Sequence, residues 1–572
     1  MISDFDLEGK NKLQKAAYYL KNYGAPYTVK KALRKLGVPF REESEYMAWC
    51  RRNAASKNER RGHAQLCRIG SFAVVFEQGT DMGRAGFKSQ SVNNLSYIAI
   101  DGGTAVLDLL RQSDAEAFVF CGRSARVLPE YLYETAKAFT QDTEPVSRIR
   151  QKNEKPVDLV YTDEDNCAGK KRRRPFFKPD ADIQLLLNFQ YLGEVFAVRR
   201  SLLKKVAGSG EDVRLCGNGW YDLALQAFRC AEHICHIPKV LFSNLTSKEE
   251  AGLFARSRLT DGAGCLKRYL KAEHIAADII KSDVPGFFHV RVRLAKEPLV
   301  SIIIPNKDHI EDLGLCLTSL AEQSDYTNYE VIIAENNSTD PETFAYYEKL
   351  QKEDGRISVV VWEGEFNYSA INNFAVKHAR GELFLFLNND TEFMDAQSLR
   401  ELVVSVLKPG VGACGAMLYY GDRTIQHAGV IIGMGGFAAH ALWSLSDRDE
   451  TYYPFSLCER RVSAVTGACL MVRRSVFEET GGMEEDFAVA LNDVDFCMKV
   501  RAAGYHILFN PYARLYHYES KSRGYEDTVQ KQARFQKEIN RFQQKWETEI
   551  LNGDPYYNPN LTLHRADYSM DI

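Results

Sequence analysis

Long apolar runs, paired cysteines and a large net charge of either sign are all missing from this 572-residue chain. No stretch approaches the ~18 consecutive apolar residues of a spanning helix, so no membrane span is predicted. Met1 is followed by Asp4, Asp6 and Glu8 rather than by a basic and then apolar run, so no signal peptide is expected. The 13 cysteines are scattered, odd in number and never spaced CxxC. That pattern indicates neither a disulfide framework nor a zinc site, and it predicts a reducing, cytoplasmic compartment. Lys and Arg total 73 against 76 Asp and Glu, which argues against a general nucleic-acid binder. A Gly-rich phosphate loop is also lacking, which weakens the case for a nucleotidyltransferase.

What the chain does contain is a strand that stops on oxygen ligands. Leu383 to Leu387 is an unbroken apolar run, as a strand buried on both faces requires. It ends at Asn388-Asn389-Asp390, and ligands bind at the carboxyl edge of open α/β sheets. Amide and carboxylate oxygens there suit Mg²⁺ or Mn²⁺, although an Asn/Asp-rich turn reads equally well from this stretch alone.

Length calls for roughly three or four folding units. The expected boundaries are a basic helical segment (1–65), a first α/β unit (66–250), a helical linker (251–297), a second α/β unit (298–525) and a helix with a polar tail (526–572). Gly9 to Arg41 holds nine Lys/Arg and no Asp or Glu, so it is either a solvated helical face or a surface for anionic lipid. In the first unit, strands are predicted at 72–76, 97–100, 117–120, 157–161 and 236–242, and helices at 185–203 and 221–230. Lys170 to Arg174 is a basic cluster in a turn-like context. A linker helix is expected over 266–280. In the second unit, strands at 300–304, 329–334, 357–361 and 383–387 alternate with helices near 311–322, 341–352 and 369–379. That alternation implies right-handed crossovers and a mostly parallel sheet.

Polar residues cluster at strand ends in this second unit: Pro305-Asn306, Glu335-Asn336 and Asn388-Asn389-Asp390. Asn492-Asp493-Val494-Asp495 opens a helix, where an Asp is as readily a cap as a catalyst. His517 follows a strand; such a residue is usually structural, but beside a sheet-edge carboxylate it is a reasonable metal ligand.

The ordered motifs Val300-Ser-Ile-Ile-Ile-Pro305, Glu365-Phe-Asn-Tyr-Ser-Ala-Ile-Asn-Asn373, Phe386-Leu-Asn-Asn-Asp-Thr-Glu392 and Ile425-Gln-His-Ala-Gly429 carry a resemblance. So do Ser463-Ala-Val-Thr-Gly-Ala-Cys469, Asn492-Asp-Val-Asp-Phe496, Tyr512-Ala-Arg-Leu-Tyr-His517 and Glu519-Ser-Lys-Ser-Arg-Gly524. Together they resemble an inverting glycosyltransferase of family 2, in the bacterial branch that builds rhamnose- or galactofuranose-containing surface polysaccharides. The family's Asp-x-Asp reads Asn388-x-Asp390 here, leaving one motif carboxylate.

The resemblance implies a GT-A fold, Rossmann-like, in two tandem α/β units with helical extensions. It also implies a nucleotide-sugar donor held by Pro305, Asn306, Glu335, Asn336, Asn372, Asn388 and Asn389. A divalent metal, Mg²⁺ or Mn²⁺, would sit on Asp390 and His517, with Asp493 as general base. The implied acceptor is a lipid-linked or oligosaccharide glycan, and the implied location is cytoplasmic with peripheral contact at the inner face of the plasma membrane. The first unit resembles a degenerate copy, through Leu159-Val-Tyr-Thr-Asp-Glu-Asp165 and Pro175-Phe-Phe-Lys-Pro-Asp180. Its metal motif falls on Gly122-Arg123-Ser124, its base position on Trp220 and its metal-His position near Ser243. The rival readings are a nucleotidyl- or phosphoglycosyl-transferase, and a non-catalytic carbohydrate-binding scaffold.

Overall fold

The computed structural model describes residues 42–54, 70–78, 86–87, 90, 94–101, 103–140, 155–169, 171–210, 213, 215, 220–245, 261–449, 452–518 and 528–571. The basic Gly9–Arg41 segment, Lys170 and the Glu519–Gly524 motif lie outside them.

Among the described residues the strands of the first unit are β1 (Phe72–Glu77), β2 (Leu95–Ile100), β3 (Ala117–Cys121), β4 (Ala125–Val127), β5 (Leu159–Ala168), β6 (Lys171–Phe176), β7 (Val195–Arg199) and β8 (Ile234–Leu245). A two-stranded piece, β9 (Ala277–Lys281) and β10 (Phe288–Val292), bridges to the second unit. There follow β11 (Val300–Asn306), β12 (Tyr329–Glu335), β13 (Ile357–Val361), β14 (Leu383–Leu387), β15 (Thr391–Phe393), β16 (Val411–Tyr419) and β17 (Ile425–His427). A small hairpin, β18 (Val430–Ile432) with β19 (Ala438–His440), precedes β20 (Arg460–Val462), β21 (Cys469–Arg473) and β22 (His506–His517).

The first sheet runs β2-β1-β3-β7-β5-β8-β4, and the second runs β13-β12-β11-β14-β21-β16-β22-β15. Among the described residues the edge strand β13 has no counterpart beyond β2, and otherwise the two orders correspond strand for strand: β2 to β12, β1 to β11, β3 to β14, β7 to β21, β5 to β16, β8 to β22 and β4 to β15. Both sheets are mixed, which corrects the mostly parallel expectation. The strands joined by helices are parallel (β13, β12, β11, β14), whereas β21 runs antiparallel to both β14 and β16. Periodicity identifies strands but is blind to the direction in which a distant strand enters the sheet.

Strand β14 shows why the sheet reads as a continuous apolar run. Phe384 and Phe386 point into one core, while Leu383, Leu385 and Leu387 point into the other. The flanking helices fall where expected, at Ile310–Gln323, Pro341–Glu353 and Tyr368–Ala375. Asp340 caps the second, with Pro341 at its first position, and the Asn367 side chain accepts from Ala370 N to start the third.

Three local expectations change. Residues 185–203 are not one helix: Ile183–Asn188 is helical, and after Gly193 the Val-Phe-Ala-Val stretch becomes β7, followed by the helix Arg200–Ala207. The linker helix is Gly262–Ala272, and Ala277–Lys281 pairs with Phe288–Val292 around Gly286, which has φ 85°. Lys171–Phe176 is a strand on β5 rather than a turn. In each case tertiary strand pairing overrides the local pattern.

The two units share one continuous core cluster rather than meeting across a wet gap. Asp182, at 0% exposure, caps the helix Ile183–Asn188 through Gln184 N and also accepts from Arg461 N of β20, at 2.7 Å. Burial raises its carboxyl pKa despite Arg461. The C-terminal tail completes the junction. Asn558 Nδ2 donates to both oxygens of Asp163 at 3.0 Å and lies 2.9 Å from the Lys178 carbonyl, and Asp554 Oδ2 accepts from Ile432 N.

Asp163 is fully buried and also accepts from Lys178 N at 2.9 Å and faces His236 Nε2 at 2.8 Å. Asp163→Ala therefore strands a buried imidazole, an amide and a backbone N–H. The expected cost is about 3–5 kcal/mol, read as a lowered urea midpoint, with earlier proteolytic release of the tail.

Candidate functional site

The carboxyl ends of β11, β12 and β14 form one face of the candidate site. Asn306 ends β11, and its Nδ2 lies 2.7 Å from Tyr347 Oη and 2.8 Å from the Asp308 carbonyl. Glu335 ends β12 and is 1% exposed; it accepts from Ser338 N and Oγ and from Tyr347 Oη at 2.7 Å. Tyr347 thus bridges Asn306 and Glu335. The Glu335 carboxylate is turned inward, where it shapes the loop 336–340. Asn336 N donates to the Asn306 carbonyl, and its side chain reaches the Gly364 carbonyl at 3.1 Å. Pro305 sits beside these on β11, and Asn372 is buried within the helix Tyr368–Ala375, donating to the Tyr368 carbonyl. The structure therefore gathers Asn306, Glu335 and Asn336 into one bonded group. Sequence reasoning missed Tyr347 and Ser338, which hold that group together; Tyr347 lies in a helix whose pattern marks it only as core.

The Asn388-Asn389-Asp390 turn divides its side chains. Asn389 Nδ2 donates to Asn306 Oδ1 at 2.6 Å, towards the β11–β12 group. Asn388 Nδ2 and Asp390 Oδ1 instead lie 3.1 Å and 3.2 Å from His517 Nε2. The pairing of β15 with β22 places Thr391 opposite His517, which brings the ring to Asp390. On its far side, His517 Nδ1 donates to Gln426 Oε1 at 2.7 Å.

That tautomer puts the Nε2 lone pair opposite the Asp390 carboxylate. Asn388 Nδ2 lies 3.1 Å from the same nitrogen, and a cation between that lone pair and the carboxylate 3.2 Å away would be held by both. Among the described residues no group of three or more His, Cys, Asp and Glu is poised for a metal. An octahedral Mg²⁺-type ion commonly takes only one or two carboxylates, the rest coming from substrate phosphates and water. Asp390 and His517 fit such an ion.

Asp493 is the second residue of the helix Asn492–Ala502. Its Oδ2 accepts from Gly467 N and its Oδ1 from Val494 N, both at 2.8 Å. It is half-buried rather than closed off. A Cβ at Gly467 would lie 2.9 Å from Tyr368 Oη, so only glycine brings this loop onto the carboxylate. The neighbouring Asp495 has a different task. Fully buried, it holds Lys545 Nζ and Trp546 Nε1 and so anchors the C-terminal helix Val529–Lys545.

The first unit repeats this frame with other side chains. Gly122-Arg123-Ser124 lies between β3 and β4, as Asn388-Asn389-Asp390 lies between β14 and β15. A Cβ at Gly122 would fall 1.6 Å from Glu194 Oε2, so the Glu194 carboxylate occupies that space. Arg123 is paired with Glu77. Ala125 pairs with Asn244 as Thr391 pairs with His517, so Asn244, one residue beyond Ser243, takes the histidine's position. Asn244 donates to Glu164, whose carboxylate holds the buried Lys178 ammonium at 2.8 Å. Burial lowers the Lys178 pKa even so.

One expectation is corrected. Trp220 and Leu491 both precede their helices with left-handed backbone, at φ 62° and 61°, so Trp220 matches Leu491 and Asp222 matches Asp493. The first unit keeps that carboxylate, but Arg268 Nε of the linker helix donates to it at 2.8 Å. The mismatch was one of counting: without the helix start, a two-residue offset cannot be seen.

Sequence comparison gives the same picture. The family described as Glycosyl transferase family 2 matches residues 301–481. An uncharacterized protein, y4gI, of Sinorhizobium fredii is 38% identical over 423 residues, covering 72% of this chain and 46% of that protein. The O-antigen biosynthesis protein RfbC of Myxococcus xanthus is 37% identical over 456 residues, 78% of this chain and 34% of its own length. An N-acetylglucosaminyl-diphospho-decaprenol L-rhamnosyltransferase of Mycobacterium tuberculosis is 30% identical over 126 residues, 20% of this chain and 40% of that enzyme. The chain spans less than half the length of each of these relatives. Through residues 301–481, which carry Asn306 and Asp390, the chain matches the family 2 glycosyltransferases.

Proposed function

We propose that this chain is an inverting, metal-dependent glycosyltransferase. It moves a rhamnose- or galactofuranose-like sugar from a nucleotide diphosphate to a lipid-linked glycan in surface-polysaccharide synthesis. The observation that carries the reading is the opposition of the Asp390 carboxylate and the His517 lone pair at the sheet edge, with the Asp493 carboxylate on the helix Asn492–Ala502. The relatives named for O-antigen biosynthesis and for a decaprenol-linked acceptor support the acceptor class.

Each group has a task in this reading. Pro305, Asn306, Asn336 and Asn372, with the loop that Glu335 shapes, cradle the nucleoside end of the donor, and Asn388 and Asn389 line its diphosphate side. Asp390 and His517 would hold a divalent cation, Mg²⁺ or Mn²⁺, whose charge would offset the negative charge gathering on the leaving diphosphate. Asp493 accepts the proton of the acceptor hydroxyl as that oxygen bonds to the anomeric carbon. The bond from that carbon to the diphosphate breaks with its electron pair leaving on the nucleotide. Attack from the opposite face inverts the centre in one step.

The first unit, residues 66–250, is read as a non-catalytic companion that positions glycan or partner. Its metal-motif space is filled by Glu194, and its base-equivalent Asp222 is neutralised by Arg268. Asp493→Asn, which keeps one acceptor oxygen for Gly467 N or Val494 N, should cut transfer of labelled sugar by roughly 10²–10⁴-fold with donor binding kept. Asp222→Asn should leave turnover within about twofold of the parent. Equal losses in the two variants would place chemistry in both units.

Metal-stripped protein in excess EDTA should lose transfer and regain it with Mn²⁺ or Mg²⁺, whereas Asp390→Asn should not recover at the same concentration. Full turnover in EDTA would overturn the metal reading. The Gly9–Arg41 segment should bind the chain to the inner membrane face: sedimentation with anionic vesicles, lost as salt rises, is expected, since each Lys or Arg contributes about 1 kcal/mol near such a surface.

A further inference from the structure

Strand β17 is three residues long, yet its middle residue grips the candidate metal ligand at two points. Gln426 Oε1 accepts from His517 Nδ1 at 2.7 Å, and Gln426 Nε2 lies 3.3 Å from the carbonyl oxygen of the same histidine. Gln426 is 2% exposed, so its amide has exchanged water for these contacts. Its position is set from three sides. Pairing with β16 fixes β17 through Leu418–His427 and Tyr419–Ile425. The Gln426 carbonyl faces His440 Nδ1 at 3.1 Å. The next side chain, on the opposite face of the strand, is His427, whose Nε2 accepts from Gly429 N and lies 3.4 Å from Thr466 N.

An amide oxygen can only accept, so this contact decides where the imidazole proton sits. With Nδ1 protonated, the Nε2 lone pair is directed at Asn388 and Asp390, which lie 3.1 Å and 3.2 Å away. Asn388 Nδ2 as donor to that nitrogen agrees with the same tautomer. Rotating the ring would break the bond to Gln426 and leave buried polar atoms unpaired, so the orientation is held as well as the tautomer.

We infer that Gln426 is the positioning residue of the metal centre: it locks His517 as the Nδ1–H tautomer, with Nε2 presented beside Asp390 to a divalent cation. A second-sphere acceptor of this kind fixes ring orientation and raises ligand basicity. The inference rests on the metal reading above, and it adds a residue that touches neither sugar, nucleotide nor cation.

The test is Mn²⁺ titration of the full chain without donor, followed by the electron paramagnetic resonance signal of free Mn²⁺. The proteins compared are the parent, Asp390→Asn, Gln426→Met and Gln426→Glu, each with its metal-free melting curve. The parent should show one Mn²⁺ site that Asp390→Asn removes. Gln426→Met, close in volume but with no acceptor oxygen, should weaken that site about 10–100-fold and, with Nδ1–H left unpaired, melt somewhat below the parent without metal. Gln426→Glu restores an acceptor for Nδ1–H and should bind Mn²⁺ at least as tightly as the parent. A purely structural role would make both substitutions alike.

Parent-like binding in Gln426→Met overturns the inference and leaves the metal reading standing. An absent Asp390-dependent site in the parent overturns the inference, and loss or survival of transfer in EDTA then decides the metal reading by itself. If Gln426→Met does not fold, the comparison of Gln426→Glu with the parent decides: a tenfold weaker site there overturns the inference.

Discussion

Antiparallel pairing of β15 with β22 sets Thr391 opposite His517, and the candidate chemistry hangs from that register. A slip of one residue would turn His517 to the other face of the sheet and leave Asp390 facing an aromatic ring from Tyr516. The register is held by the core on both sides: Phe393 and Leu515 are almost fully buried, and Leu515 also pairs with Leu418 of β16. Burial of neighbouring side chains thus fixes a distance between two polar groups that have no sequence proximity.

The first unit shows that this frame is independent of the chemistry. The same strand order and the same β4–β8 pairing are kept, but Ala125 faces Asn244 and the space beside Gly122 is filled by Glu194. Charges there are paired internally, as in Lys178 with Glu164, Arg123 with Glu77 and Arg268 with Asp222. Lys178 is fully buried, and removing the partner of a buried charge is costly even though the pair itself contributes little net stability. The C-terminal tail then uses the buried acid Asp163 as an anchor, which ties the first unit to the second.

Positions one or two apart on short elements are sent to different tasks. Asp493 faces the Gly467 loop, while Asp495 anchors Lys545 and Trp546. Gln426 turns to His517, while His427 turns to the backbone of Gly429 and Thr466. Burial holds His427 well below the ordinary imidazole range, so it serves there as a neutral acceptor. Strand and helix periodicity produces this division without any added sequence signal.

The sequence by itself determined β11 to β14 with the three helices between them, and the carboxyl-edge position of Asn306, Glu335 and Asp390. These follow from local apolar runs and from polar residues at their ends, which neighbours in the chain specify. Tertiary structure alone decided the antiparallel entry of β7 and β21, the equivalence of Asp222 rather than Trp220 with Asp493, the inward turn of Glu335 onto Tyr347, and the grip of Gln426 on His517. Each of these depends on which distant strand or helix comes alongside. Gln426 and His517 are 91 residues apart and meet only because β17 and β22 both pair with β16. Local periodicity carries no record of such a pairing, because it is selected by the core that the whole sheet encloses.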